Sequence, residues 1–290
     1  MHGEGEADGQ LRKQLFTLRW QVGGSISGIL MTQAPFRLDG KTAFVSGSRG
    51  HLGAAMTRAL CAAGAHVIVN GRDAVALDVF AADLKAQGFS VEAASFDAHD
   101  IPALRAFFGG LKRLDVLVNN VGLMLGKSFA ELTAADFAAT YAATVTSAFE
   151  SVRAARPALR AAVAASGDAS VVNISSLYGQ VAPDGRLYDD RAQQSPFHYG
   201  PAKAGLIQLS RHLAAELGPE KIRVNALVPG TFPQPGKMPP GLEERLGART
   251  MLGRIGRAEE IAGPLLFLAS PASSFVTGAS LNVDGGWTAW

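Results

Sequence analysis

The 290-residue chain has a single cysteine, Cys61, which excludes an intramolecular disulfide and any thiolate cluster for zinc. It has almost no charge imbalance, with 27 Lys and Arg against 25 Asp and Glu for a formal net charge of +2. The basic residues are scattered, so no nucleic-acid surface is expected. No apolar run reaches the roughly 18 residues of a membrane span, since even Leu265–Leu268 lies between Pro264 and Pro271. His66, His99, His198 and His212 share no ligand spacing, and metal catalysis has no support. What is present, 48% hydrophobic and 18% charged residues, describes a globular chain with ample core. A lone cysteine without a targeting pattern suits a reducing, cytoplasmic setting.

Residues 1–30 look unlike the rest. Glu4, Glu6 and Asp8 stand among glycines, followed by a weak apolar rhythm at Leu11, Leu15, Phe16 and Leu18. Early acidic residues argue against a secretory signal or transit peptide. We read 1–30 as a flexible tail, with a partner-binding extension as the functional alternative, and 31–290 as one domain.

From Lys41 onward, short β-branched runs alternate with alanine-rich stretches of helical period, which predicts repeated βαβ units and an α/β fold built on a doubly wound parallel sheet. Seven strands are expected, at Thr42–Ser46, His66–Asn70, Ser90–Phe96, Val116–Asn119, Ser170–Ser175, Arg223–Leu227 and Ser280–Val283. Each is short and nearly all apolar, as strands buried on both faces must be. Helices are expected near Leu52–Ala63, Ala74–Gln87, Pro102–Leu111, Ala134–Ala165, Tyr199–Leu217 and Ala258–Ala269. Two segments rich in loop formers, Ala182–Pro196 and Pro229–Gly241, are where a substrate is expected.

Ser46-Gly47-Ser48-Arg49-Gly50-His51-Leu52-Gly53 follows the first strand and opens the first helix. Glycines there make a tight turn, let backbone N–H groups approach a pyrophosphate and set the helix N-terminus against the anion. Without a following Lys-Ser or Lys-Thr, the turn is no P-loop. In Rossmann domains that prefer NAD, an acid near the end of the second strand binds the ribose 2′-hydroxyl. Here Val69-Asn70-Gly71-Arg72 ends without one, and Arg72 and Arg49 can converge on a 2′-phosphate, which favours NADP(H) over NAD(H). Two ordinary surface cations are the alternative, and Asp73 remains open to a ribose hydroxyl.

Tyr199-Gly200-Pro201-Ala202-Lys203 sets a phenol and an ammonium four residues apart, on one helix face. A nearby cation favours phenolate, so Tyr199 is a candidate acid/base. Its company is Asp115-Val116-Leu117-Val118-Asn119-Asn120-Val121-Gly122, Val172-Asn173-Ile174-Ser175-Ser176 and Ile222-Arg223-Val224-Asn225-Ala226-Leu227-Val228-Pro229-Gly230. Together these motifs resemble the short-chain dehydrogenase/reductase family over roughly Phe36 to Trp290. The resemblance implies a Rossmann-type sheet carrying NAD(P), hydride transfer between nicotinamide and an alcohol or carbonyl carbon of a small substrate, and a homotetramer. Residue by residue, it implies Tyr199 as acid/base, Lys203 on the nicotinamide ribose and lowering the tyrosine pKa, and Ser176 on the substrate oxygen. Asp97 matches the adenine-side position, Asn120 and Gly122 the ribose-side wall. Pro229, Gly230 and Thr231 flank the carboxamide and diphosphate.

Two positions depart from that pattern. Thr144 stands where the family has an asparagine that helps hold a relay water, and a hydroxyl lacks the amide's fork. His51 stands at the family's middle glycine, either leaning toward a phosphate or facing solvent. The gap from Ser176 to Tyr199 is 23 residues, longer than usual, and with the Val69–Arg72 run it resembles a branch associated with gluconate 5-dehydrogenase and other sugar, polyol or sugar-acid oxidoreductases. Within the gap, Tyr188, Asp189, Asp190 and Arg191 are candidates to bind hydroxyls or a carboxylate. Phe232–Glu244 is the expected lid, and Lys237, Arg245 and Arg249 could draw in an anion. The alternatives are a 3-oxoacyl thioester reductase and a non-catalytic NADP-binding sensor or structural protein. The terminal run Leu281–Trp290 exposes two tryptophans unless an oligomer interface covers them.

Overall fold

A computed structural model describes residues 35–190 and 193–290. The tail expected over 1–30, and Arg191, lie outside the described residues. Seven strands form one sheet: β1 (Thr42–Val45), β2 (His66–Gly71), β3 (Val91–Ser95), β4 (Val116–Asn119), β5 (Ala169–Ile174), β6 (Ile222–Pro229) and β7 (Ser280–Val283). Their order is β3-β2-β1-β4-β5-β6-β7 and every pairing is parallel. The chain winds outward from β1 to β3, then returns to begin again at β4. The crevice between the ends of β1 and β4 is where such sheets bind ligands.

Side-chain alternation along the strands builds two cores. Val45, Val67, Val69, Val116, Val118 and Val172 point to one face, under α1 (His51–Ala62), α2 (Ala74–Ala86) and α8 (Ala262–Ala269). Phe44, Ile68, Leu117, Val171 and Val224 point to the other, under α3 (Ile101–Gly109), α5 (Ser147–Ser166) and α6 (Tyr199–Leu217). On that side Phe44 meets the rings of Phe107 and Phe108 at centroid distances of 5.4 and 4.9 Å. Both faces being covered explains the nearly unbroken apolar strands. Among the described residues no helix is long and apolar enough to cross a membrane.

Three elements differ from expectation. The long helix expected at Ala134–Ala165 is divided into α4 (Ala134–Tyr141), a π turn at Ala142–Thr146, and α5. A π turn accommodates an extra residue and re-aims the side chains on it. The last expected helix begins as a 3-10 turn at Ala258–Ile261, and α8 starts only at Ala262, which leaves Pro264 in a first turn, where its missing N–H is not needed. A short α7 (Leu242–Ala248) forms beyond the proline-rich segment, because Leu242 and Leu246 are buried against Leu177 and Trp287. Trp287 is thus covered within the chain, and of the two terminal tryptophans Trp290 is the exposed one.

Candidate active site

The glycine turn connects β1 to α1. Gly47 adopts φ +63° and a Cβ on it would lie 3.2 Å from Asn120 Nδ2. A Cβ on Gly53 would lie 2.1 Å from Gly47 O, so only glycine lets α1 press against the turn. The helix begins at Gly50 without a side-chain cap and without an acidic residue in its first turn, so its N–H groups and positive dipole end suit an anion. These features fit the diphosphate of a dinucleotide. His51 opens the helix and its Nε2 is buried without a partner, while Leu52 packs against the core. Asn120 braces the turn, donating from N–H to Ser46 Oγ (2.8 Å) and from Nδ2 to Ser46 O (2.9 Å).

Two expected cofactor residues are used by the fold itself. Ser48 is buried; its hydroxyl donates to Val45 O (2.5 Å) and accepts from Asn70 N–H (2.9 Å), and its own N–H donates to Asn70 O. The Asn70 amide nitrogen donates to Ala94 O and Phe96 O, tying β2 to β3. Neither side chain is free to reach a phosphate. Beyond them Arg49 and Arg72 are exposed, each with a guanidinium nitrogen 3.9 Å from a carboxylate, that of Asp73 and Asp97 respectively. Asp73 caps α2, accepting from Ala76 N–H at 3.0 Å, so one of its oxygens is already committed. Asp97 accepts from His99 N–H at 2.9 Å.

The reactive corner lies at the end of β5. The 3-10 turn Leu177–Gly179 rests directly on the first turn of α6 through two glycines. A Cβ on Gly179 would sit 2.8 Å from the Lys203 carbonyl carbon, and one on Gly200 2.8 Å from Tyr178 O. Ser175 Oγ adds a bond to Lys203 O at 2.9 Å. This close approach brings the Ser176 hydroxyl, which accepts from Tyr178 N–H at 3.2 Å, into the neighbourhood of the Tyr199 phenol. Lys203 is buried, donates from Nζ to Ile174 O at 2.7 Å and lies 5.6 Å from the Tyr199 ring centroid. Burial lowers the Lys203 ammonium to about 8. Burial also pushes the Tyr199 phenol above its ordinary value, with the nearby Ser176 hydroxyl opposing that shift. The expected lowering of the phenol by Lys203 is therefore corrected: removal from water dominates, and the ammonium is directed at a backbone carbonyl.

The π turn delivers Thr144 to the same corner. It is buried, its Oγ1 has no partner, and a Cβ on Gly122 would lie 3.6 Å from that oxygen and 3.5 Å from Lys203 Nζ. At the end of β6, Gly230 N–H donates to Val283 O and its missing Cβ leaves room for Asp284. Pro229 closes the strand, and Thr231 holds Gly256 N–H.

His198 and Tyr178 escaped the sequence reading as site residues. His198, buried beside Tyr199, bonds through Nδ1 to Thr140 Oγ1 (3.0 Å). Since that hydroxyl donates to Asp136 O, Nδ1–H is the donor, and Nε2 lies 3.2 Å from both the N–H and the carbonyl oxygen of Leu125. The imidazole thus fixes the loop after β4 against α4. Tyr178 and Tyr188 meet hydroxyl to hydroxyl at 3.0 Å. Arg245, expected to attract an anion, instead donates to Leu187 O and Asp189, both at 2.7 Å. Arg249 stacks on Trp287, its guanidinium carbon 5.5 Å from the ring centroid, and Lys237 is exposed.

Comparison with known proteins agrees with this geometry. Residues 48–288 match a family model described as Enoyl-(Acyl carrier protein) reductase. Galactitol 2-dehydrogenase (L-tagatose-forming) from Cereibacter sphaeroides is 35% identical over 260 residues, 88% of this chain and 98% of that protein. The rhamnolipids biosynthesis 3-oxoacyl-[acyl-carrier-protein] reductase of Pseudomonas aeruginosa is 34% identical over 268 residues, 87% and 98% of the two chains. Among solved structures, a gluconate 5-dehydrogenase from Burkholderia cenocepacia J2315, in complex with NADP and tartrate, superposes with a TM-score of 0.78 at 28% identity, covering 88% of this chain and 98% of that one. Sheet order, glycine turn and these likenesses converge on one conclusion: the chain belongs to the short-chain dehydrogenase/reductase family and is an oxidoreductase acting at alcohol groups.

Proposed function

We propose that the protein interconverts an alcohol and a carbonyl on a sugar, sugar acid or polyol, with NADP(H) preferred over NAD(H). The observation that carries the reading is the gathering of Ser176, Tyr199, the buried Lys203 and the unpartnered Thr144 hydroxyl around the end of β5. A dinucleotide bound there would supply the hydride in reduction and take it up in oxidation. Ser176 Oγ–H donates to the substrate carbonyl oxygen. As that oxygen gains charge, Tyr199 hands it a proton, and the Ser176 bond stabilises the developing alkoxide. Lys203 would hold the nicotinamide ribose, and the unpartnered Thr144 hydroxyl would serve the proton relay beside it. Gly47, Gly50 and Gly53, with the N-terminus of α1 and His51, would hold the diphosphate. Asp97 would serve the adenine, Asn120 and Gly122 the ribose, and Pro229, Gly230 and Thr231 the carboxamide side. Arg49 and Arg72 would bind the 2′-phosphate, a reading supported by the absence of an acid at the end of β2 and by the commitment of Asp73 to its helix cap.

The test is NADPH consumption with keto-sugar acids, ketoses, simple ketones and an acetoacetyl thioester. Turnover of a keto-sugar is expected, with a loss of about a thousandfold in Tyr199→Phe, in the range of a removed general acid. A thioester reduced in preference would favour the second reading, suggested by the likeness to the Pseudomonas reductase. NADPH binding without any turnover would favour a sensor. Equal affinity for NADH and NADPH would remove the NADP preference. The reading extends to a cytoplasmic homotetramer. An exposed apolar hollow lined by Phe36, Pro264, Phe267, Leu281 and Val283 supports self-association, and a monomer in sedimentation at micromolar concentration would refute it.

A further inference from the structure

Three of the chain's four tyrosines, Tyr178, Tyr188 and Tyr199, gather at one corner, and only Tyr199 has a part in the chemistry above. Tyr178 is two residues past Ser176, on the turn that rests against Gly200, and its phenol feels both Tyr188 and Tyr199. The hydroxyls of Tyr178 and Tyr188 share one hydrogen bond of 3.0 Å. Each phenol has one proton, so whichever donates leaves the other's O–H without an acceptor in that pair. Both rings are partly buried against Leu177, Leu242, Leu246 and Trp287. An O–H in such surroundings gains most from a fixed oxygen partner, because desolvation has already removed much of its water.

The inserted segment explains why Tyr188 is there. Arg245 on α7 grips the residues on both sides of it, donating from Nε to Leu187 O and from Nη2 to the Asp189 carboxylate, both at 2.7 Å. A guanidinium fork holding both neighbours restricts the ring between them. Helix α7 and the inserted segment are thereby tied together, and they set the Tyr188 phenol against Tyr178.

We propose that Tyr178 and Tyr188 form the specificity wall of the substrate pocket, the unmatched O–H of the pair donating to a second oxygen of the substrate, distinct from the one facing Ser176 and Tyr199. Arg245 is the positioning residue that holds Tyr188 in place. The preferred substrates then carry a hydroxyl or carboxylate oxygen close to the reacting carbon, as hydroxyketones and keto-sugar acids do. This inference rests on the proposed alcohol–carbonyl activity and deepens it.

The test compares 3-hydroxybutan-2-one with butan-2-one, which differ by one vicinal hydroxyl, together with the fastest keto-sugar of the panel, using NADPH and the full-length protein. Tyr188→Phe and Tyr178→Phe are each expected to lower kcat/KM for the oxygenated ketones about tenfold, the effect of one lost buried hydrogen bond. Butan-2-one should stay within twofold. The double variant should be little worse than either single one, since the pair acts as a unit. Arg245→Ala should raise KM for the oxygenated ketones several-fold with kcat retained, a split that general loosening of the fold would not produce. NADPH binding followed by fluorescence should be unchanged in all variants, showing that they fold. Equal losses on both ketones, or no loss on either, overturn the specificity wall and leave the activity standing. No turnover of any ketone by the wild type defeats the activity, and the inference with it.

Discussion

The two ends of the sheet are built from similar side chains to opposite purposes. At the amino end, Asp115 is buried and accepts from Arg113 Nε (3.0 Å) and Nη2 (2.7 Å), Thr42 N–H (2.9 Å) and Ser166 Oγ (3.2 Å), with Lys41 Nζ at 3.4 Å. Nearby, buried Arg223 donates to Leu268 O, Ser273 Oγ, Ser270 O and Asp168, with only its Nε unpartnered. At the carboxyl end, Lys203 is equally buried yet bonds to one carbonyl, and Thr144 Oγ1 and His51 Nε2 bond to nothing. Buried polar groups that are fully matched hold a fold, whereas unmatched ones are where ligands and chemistry belong. Breaking the matched end should therefore damage stability and spare catalysis. Asp115→Ala takes the carboxylate from Arg113 and from the Thr42 N–H, while Lys41 keeps Asp168 and Ser166, and is expected to destabilise by about 3 kcal/mol, as for a buried pair that loses one partner. Urea unfolding measures this; kcat per folded molecule should not change, and a variant of wild-type stability would show that the network is ornamental.

The unmatched end should answer to pH. Burial brings the Lys203 ammonium from an ordinary 10.5 down to about 8, so between those values the unfolded chain binds the proton that the folded chain has released. Wild-type stability from this group thus rises with pH across that window. Below pH 8 the buried charge opposes folding by about 3 kcal/mol, at about 1.4 kcal/mol per pKa unit. Lys203→Met removes that dependence and also leaves Ile174 O unmatched at every pH. Its stability relative to wild type should therefore worsen by about 3 kcal/mol between pH 7 and 10.5, even though it is inactive throughout. Parallel stability curves for the two proteins would show that the ammonium is solvated in the folded state.

The same contrast marks what the sequence made legible. Strands such as Val67-Ile68-Val69 and Val116-Leu117-Val118 are read to within a residue or two, because burial on both faces leaves an apolar run that nothing else explains. The glycine turn, and Tyr199 with Lys203, are equally plain, since the turn must follow a strand and the pair must share a helix face. The π turn was invisible because Ala134–Ala165 has nearly uniform helix propensity and the break answers to tertiary contact: Gly205 of α6 packs there so closely that a Cβ would lie 3.1 Å from the Tyr141 ring and 3.2 Å from Val145. Helix α7 and the burial of Trp287 were missed for a related reason, as each completes the other across a long stretch of chain. The direction of the Tyr199 shift failed because a sequence shows which charges stand near a phenol and conceals how much water the fold removes from it.

The finest division between structure and chemistry runs through two threonines. Thr57 on α1 and Thr144 on the π turn are both buried, and both have an Oγ1 without a partner. An unmatched buried hydroxyl costs about 1 kcal/mol or more, and valine has nearly the same shape without the oxygen. Thr57→Val should raise stability by about that amount and leave the rate untouched, because nothing in the proposed relay touches α1 at that turn. Thr144→Val should raise stability comparably but lower kcat several-fold, since its hydroxyl faces Lys203 Nζ across Gly122. Thermal unfolding paired with NADPH turnover separates the two. If both variants gain stability at full activity, Thr144 has no part in the relay and the proton leaves Tyr199 by another path; if only Thr144→Val slows, the departure from asparagine at this position is a working substitution.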